Sequence, residues 1–248
     1  MQVARIGLSP IKGSQHVTRR STSLAASGPV GDRAFCLLDP ATDRCLRTVD
    51  HPELLRTRAS WDGSTLAVAL PSGDVLGTPA PSDDRRTVDY WGRAVAVEVV
   101  DGPWASAFSD HLGRSVLLAA SRPGDVVYGS AVTIVTSASL DQLAADVGAP
   151  VDPARFRATF QVDGDVRPFE EVGWVGRTVR VGTAVVRVRQ AVPRCRVIDV
   201  HPTSGVRDLD LLPVLAQRQQ QSVTFGIDAD VVSPGHVATG DSVSLVPG

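Results

Sequence analysis

Cys195 stands between two arginines in Gln190-Ala191-Val192-Pro193-Arg194-Cys195-Arg196-Val197. A cysteine flanked by cations is the setting in which a thiolate is favoured. A soft thiolate suits molybdenum, copper(I), zinc or persulfide chemistry. In an extended chain Arg194 and Arg196 lie on the face opposite Cys195, so both act on it only through a kink or a ligand that wraps both faces.

Lys12 is the chain's one lysine against 24 arginines. It sits in the turn Ser9-Pro10-Ile11-Lys12-Gly13-Ser14 after a short apolar run, where a compact ammonium can meet a phosphate. Gly31-Asp32-Arg33 offers a second cation in a turn. In Arg155-Phe156-Arg157-Ala158-Thr159-Phe160 the alternation predicts a strand. Arg155, Arg157 and Thr159 then share one face, a fork of donors suited to a phosphate or a heterocycle. Cys36, in the apolar run Ala34–Leu38, is expected in the core, and Cys45 at a hairpin. The five histidines show no metal-ligand spacing; His201, six residues past Cys195, is the nearest to the candidate chemistry. There is no phosphate-binding P-loop, no dinucleotide-binding glycine motif and no G-x-S-x-G.

Short strands must position these groups. Val95, Val97 and Val99 alternate, and Thr178–Val181 and Ala184–Arg189 flank Gly182-Thr183 as a hairpin. Frequent turn signals suggest barrels or sandwiches. Three helices are expected: 104–112, with Trp104, Phe108 and Leu112 on one face; Ala138–Val147, N-capped by Ser137; and Asp208–Gln219. Pro79–Arg86 is predicted to be a loop, and Ser121–Asp125 a link between halves. At 248 residues, 43% hydrophobic, the chain fits one large domain or two small ones. A net charge of −2 gives no reason to expect nucleic acid or an anionic membrane as a partner. The opening Met1–Leu8 is too short for a signal peptide, and no apolar run is long enough to span a membrane. Three cysteines without C-x-x-C spacing point to a reduced, cytoplasmic chain carrying no iron–sulfur domain of its own.

Taken in order, these stretches resemble the MOSC family, named after the C-terminal domain of molybdenum-cofactor sulfurase. The first half is similar to the β-barrel domain that precedes MOSC, through Pro10-Ile11-Lys12, Gly31-Asp32-Arg33-Ala34-Phe35 and the segment from Trp104 to Leu117. The second half carries Thr136-Ser137-Ala138-Ser139-Leu140, Arg155-Phe156-Arg157, Trp174-Val175-Gly176, Val181-Gly182, Arg194-Cys195, Pro202-Thr203-Ser204-Gly205, Phe225-Gly226-Ile227 and Thr239-Gly240-Asp241-Ser242-Val243. The fold this implies is mainly β (α+β), with a β-barrel over residues 1–120 and a MOSC β-barrel with peripheral helices over 121–248.

In the amidoxime-reducing relatives, two such domains grip the pterin molybdenum cofactor. The resemblance implies that Lys12 and Arg33 bind its phosphate end and that Ser137, Ala138 and Thr159 lie along it. Arg157 would contact it, Arg194 would assist, and Cys195 would ligate molybdenum. Pyridoxal phosphate is not expected. The implied reaction is two-electron reduction of small N-hydroxylated or N-oxygenated compounds, with a separate electron-donor protein of the ferredoxin or reductase type. Three positions depart from the family pattern: Pro193 replaces a serine, Thr159 an asparagine, and Val49 an arginine, although Arg47 is near. Two other readings stay open: a sulfur-transfer enzyme using a Cys195 persulfide, and a carrier that holds the cofactor without turnover.

Overall fold

The computed structural model describes residues 1–218 and 223–247. The larger sheet follows from alternating valines that bury one face. Val179 and Val181 face Val186, Ala184 and Val188 across the expected hairpin, which continues to Pro193. Its eight strands run in the order Val243–Leu245, Thr178–Val181, Ala184–Pro193, Thr224–Ser233, Val132–Thr136, Phe160–Asp163, Gln2–Leu8 and Val17–Arg19. The sheet curls until its ends meet: Gln2 bridges Ser242, and the Val3 N–H donates to the Asp241 carbonyl at 2.9 Å. Val132–Thr136 and Phe160–Asp163 are parallel, with the helix Ser137–Val147 in the crossover between them.

The other half contains a closed five-stranded barrel: Ala80–Tyr90, Arg93–Asp101, Leu117–Ser121, Phe35–Asp39 and Arg44–Cys45. The helix Trp104–Leu112 packs Trp104 and Phe108 into its apolar cluster. Cys36 is buried in the barrel, as the sequence suggests, and Cys45, on the strand paired with it, is buried there too. The strand pairing crosses the expected boundary near residue 120. Gln2–Leu8 and Val17–Arg19 belong to the large sheet, and Ser21–Ala25 pairs with Gly235–Ala238.

Several local expectations are corrected. The segment 79–86 is mostly strand, because Ala80–Tyr90 pairs with Arg93–Asp101; the proline is tolerated at a register shift between Pro81 and Arg85. Thr136 rather than Ser137 caps the helix, its side chain accepting from the Ser139 N–H. The third helix begins at Leu211, because Asp208 is held by Arg155 and Arg207 bridges Val200; Gln219 lies outside the described residues. Arg155–Thr159 is not a strand. Asp152 accepts from the Ala154 N–H at 2.8 Å and Pro153 opens a short 3₁₀ turn, Pro153–Phe156. Arg157 then turns left-handed at φ +50°, and the strand starts only at Phe160. No helix among the described residues is long and apolar enough to cross a membrane.

Candidate functional site

The turn around Lys12 and the segment around Arg33 are knitted into one piece. The Ser9 N–H donates to Asp32 Oδ1 at 2.8 Å, and the Arg33 N–H to the Ser9 carbonyl at 2.8 Å. The Lys12 N–H donates to the Phe35 carbonyl, also at 2.8 Å. Ser9 and Ser14 hydroxyls both donate to the Ile11 carbonyl, closing the turn under Lys12. Gly13 sits at φ +96°, and a Cβ there would come within 2.8 Å of Leu54 Cδ1, so only glycine fits. From the other half, Arg157 reaches across and donates Nη1 to the Ser14 carbonyl at 2.8 Å.

These groups line a cavity of about 230 Å³ between the two halves. Its wall holds Lys12, Arg33, Arg47, Arg155, Arg157 and Arg194 and, among the described residues, no aspartate or glutamate. In a chain of net charge −2 the wall is locally cationic; Arg33, Arg47 and Arg155 are paired with Asp32, Asp50 and Asp208, which leaves Lys12, Arg157 and Arg194 without a carboxylate partner among the described residues. Asp32 is occupied by the Ser9 N–H as well as by Arg33. Burial pushes the Lys12 ammonium down to about 8, helped by repulsion from Arg157 and Arg33 and against the pull of Cys45. Burial, followed by repulsion from Arg33, brings the Arg157 guanidinium down to about 9. Its Nη2 is buried and has no hydrogen-bond partner among the described residues. Lys12 Nζ lies 4.9 Å from the Tyr90 ring centre, a contact that leaves its N–H donors free for an anion.

Arg194 behaves differently. Its Nε and Nη2 donate to the Phe225 carbonyl at 2.9 and 2.7 Å, and its Nη1 to the Phe156 carbonyl at 2.9 Å. Burial lowers it to about 10. This arginine clamps the end of strand Ala184–Pro193 against its neighbours. Cys195 follows in extended conformation, caps the 3₁₀ turn Arg196–Asp199, and is exposed on the cavity wall. Arg155 is held by the Ile198 carbonyl at 3.2 Å and by Asp208 at 2.6 Å, while its Nε is buried without a hydrogen-bond partner among the described residues.

The structure therefore brings Lys12, Arg33, Arg157, Arg194 and Cys195 to one cavity. Ser137, Ala138 and Thr159 are not on its wall. Thr133, near the start of its strand, lines the cavity, whereas the helix begins at the far end, where the Ser137 hydroxyl accepts from Gln161 Nε2 at 3.0 Å. Thr159 is buried behind Thr133 in reciprocal bonds of 3.0 and 3.1 Å. Of the departures from the family pattern, Pro193 and Val49 both line the cavity, and Arg47 joins them. Sequence reasoning missed Tyr90, Trp91, Thr48 and Tyr128; only Trp91-Gly92, an aromatic beside a glycine at a hairpin tip, carried a signal. His201 is structural, its Nδ1 lying 3.3 Å from the N–H groups of Thr203 and Ser204, which donate to it. No group of three or more His, Cys, Asp or Glu side chains suited to a metal ion occurs among the described residues, so a metal here would depend on one thiolate and on donors of its own carrier.

Known proteins match along the whole length. A family model described as the MOSC N-terminal beta barrel domain matches residues 1–115, and one described as the MOSC domain matches 109–244. A molybdenum cofactor sulfurase from Drosophila grimshawi is 25% identical over 249 aligned residues, covering 91% of this chain and 31% of that protein. One from Bos taurus is 30% identical over 95 residues, covering 36% of this chain and 10% of that protein. The chain thus spans less than a third of the length of these curated relatives. Among solved structures, the YuaD protein from Bacillus subtilis aligns over 98% of this chain and 93% of its own, with a TM-score of 0.45 and 13% identity. YiiM from Geobacillus stearothermophilus aligns over 47% of this chain and 54% of its own, with a TM-score of 0.36 and 21% identity. Since the two family models together account for residues 1–244, the chain belongs to the MOSC domain family and carries that family's N-terminal barrel.

Proposed function

We propose that this chain holds the molybdenum cofactor in the cavity between its halves and reduces N-hydroxylated or N-oxygenated small molecules. One observation carries the reading: a cationic cavity with unoccupied donors at one part of its wall and an exposed cysteine thiol at another. The residues present fit an anionic cofactor with a soft metal. Lys12, Arg33 and Arg157 would neutralise its phosphate; Lys12 and Arg157 have no carboxylate partner among the described residues, and Arg33 is paired with Asp32. Arg194 fixes the backbone that presents Cys195, and the Cys195 sulfur would hold the metal. The bound group would supply the two-electron chemistry that removes oxygen from nitrogen.

For an N-hydroxyamidine the balance is simple. The N–O bond breaks, two electrons and two protons enter, oxygen leaves as water, and the amidine remains. The electrons would come from a separate ferredoxin- or reductase-type protein. We place the chain in the cytoplasm, where its three cysteines stay reduced. Cys195→Ala should abolish turnover of an N-hydroxyamidine with a chemical reductant while the circular dichroism spectrum and melting temperature hold. Unchanged turnover would remove Cys195 from the reaction.

A second reading is favoured by the exposure of Cys195 and by the names of the curated relatives. Cys195 thiolate would attack the outer sulfur of a donor persulfide, leaving the donor thiol and a Cys195 persulfide with no net oxidation. An adduct of about 32 Da on Cys195, one sulfur atom, in intact-protein mass spectra would favour it. Stoichiometric cofactor with no turnover under any electron donor would instead indicate a carrier.

A further inference from the structure

A second, much smaller cavity, of about 10 Å³, also lies where the two halves meet. His16 and Leu55 reach it from the first half, Arg155 and Arg157 from the second, and the other side chains on its wall are apolar. Arg155 and Arg157 line both cavities and so stand between them. No aspartate or glutamate is on the small wall among the described residues. The volume suits one particle about as large as a water molecule.

Two donors on this wall are fixed by the fold. The Arg155 side chain is 3% exposed; with Nη1 on the Ile198 carbonyl and Nη2 on Asp208, its Nε is the buried N–H left over. The His16 ring packs so closely on Gly7 that a Cβ there would come within 2.3 Å of Cε1. Arg5 donates Nη2 to the His16 carbonyl at 3.0 Å, and both its Nη atoms lie 3.4 Å from His16 Nδ1. A guanidinium only donates, so Nδ1 accepts and the ring proton sits on Nε2. Burial, then repulsion from Arg157, Arg5 and Arg33, hold the imidazole well below its ordinary range, so it stays neutral. His16 Nε2–H is therefore the second donor. The surrounding charge is positive: Asp208 balances Arg155, but Arg157 has no carboxylate partner among the described residues. A water molecule here would find no free acceptor among the lining side chains for its own protons.

We infer that the small cavity is a binding site for a monatomic anion, a halide such as chloride, which accepts from Arg155 Nε and His16 Nε2 beside the charge of Arg157. The ion would tie the first half to the second at a point where a buried cation otherwise lacks a counter-charge. The volume excludes phosphate and sulfate. The site stands whatever the larger cavity holds.

The melting temperature of the purified chain tests it, measured at constant ionic strength as sodium gluconate, whose anion is too large for the cavity, is exchanged for sodium chloride or sodium bromide. Either halide at about 150 mM should raise the melting temperature by about 3 °C, and the rise should saturate. It should persist in Lys12→Met, which impairs the larger cavity, and vanish in Ala154→Val, whose added methyl groups fill the smaller one. Crystals grown with bromide at the same concentration should show an anomalous peak within hydrogen-bond distance of Arg155 Nε and His16 Nε2. No halide-specific shift in the wild type would overturn the inference. So would a shift that disappears in Lys12→Met or survives in folded Ala154→Val, or a water molecule in place of bromide. A bromide peak without a shift in solution would mean an adventitious ion only, and would also overturn it. Should Ala154→Val fail to fold, the bromide peak and the Lys12→Met shift decide.

Discussion

Two sets of cations share one cavity wall and differ in how many of their donors are taken. Arg194 gives Nε, Nη1 and Nη2 to backbone carbonyls, and Arg155 is held by the Ile198 carbonyl and Asp208, with its Nε left without a partner among the described residues. Lys12 and Arg157 sit as deep but keep donors in hand; Arg157 Nη2 has no partner among the described residues, and Lys12 Nζ lies over the Tyr90 ring. Residue type does not separate these roles; what each donor faces does. An occupied guanidinium is part of the scaffold, whereas a buried cation without a counter-charge is costly until an anion arrives. Arg33 stands between the two sets, paired with its neighbour Asp32 yet lining the cavity.

If this contrast is right, the two sets respond to mutation in different currencies. Arg194→Ala should cost about 3 kcal/mol of stability, since it strands two buried carbonyls, and cofactor loss should follow as a consequence of loosening. Urea unfolding measures it; a change below about 0.5 kcal/mol would show that Arg194 is no clamp. Lys12→Met should leave stability unchanged or raise it, because a buried charge is replaced by an apolar chain of similar length. Its affinity for inorganic pyrophosphate should fall roughly tenfold, about 1.4 kcal/mol, by calorimetry. A stability loss comparable to that of Arg194→Ala would erase the distinction.

The smallest effect is in the pH dependence. The anion meets the ammonium form of Lys12, and in the ligand-free chain that form is lost as pH rises through about 8. Pyrophosphate affinity should therefore be full below that pH and fall above it, and the fall should vanish in Lys12→Met. Folding has the opposite sign. The unfolded chain keeps the Lys12 proton up to its ordinary value of 10.5, the folded chain only to about 8, so this group adds stability to the ligand-free chain as pH rises between the two.

The contrast also marks what the sequence could reveal. The hairpin from Thr178 and the helix from Trp104 were legible because local periodicity and burial agree there. Lys12 and Cys195 were legible by type and setting. The role of Arg194 was not, because its partners Phe225 and Phe156 are 31 and 38 residues away. Arg155–Thr159 misled for a local reason: the cap at Asp152-Pro153 outweighs an alternating pattern only three side chains long on each face. Ser137 and Ala138 lie off the cavity wall because a motif gives a helix start but not the direction of the strand leading to it. The pairing of Trp91 with Tyr128 on the wall depends on Arg93 reaching a separate loop, a contact no periodicity announces.

The central claim is that the unoccupied cations and Cys195 together hold a molybdenum-bearing anion. Molybdenum per chain, measured by elemental mass spectrometry on protein from a host that makes the cofactor, tests it most directly. Near-stoichiometric metal in the wild type, reduced in Lys12→Met and lost in Cys195→Ala while both variants stay folded, is the predicted result. Folded wild-type protein without molybdenum, or undiminished metal in both variants, would contradict it.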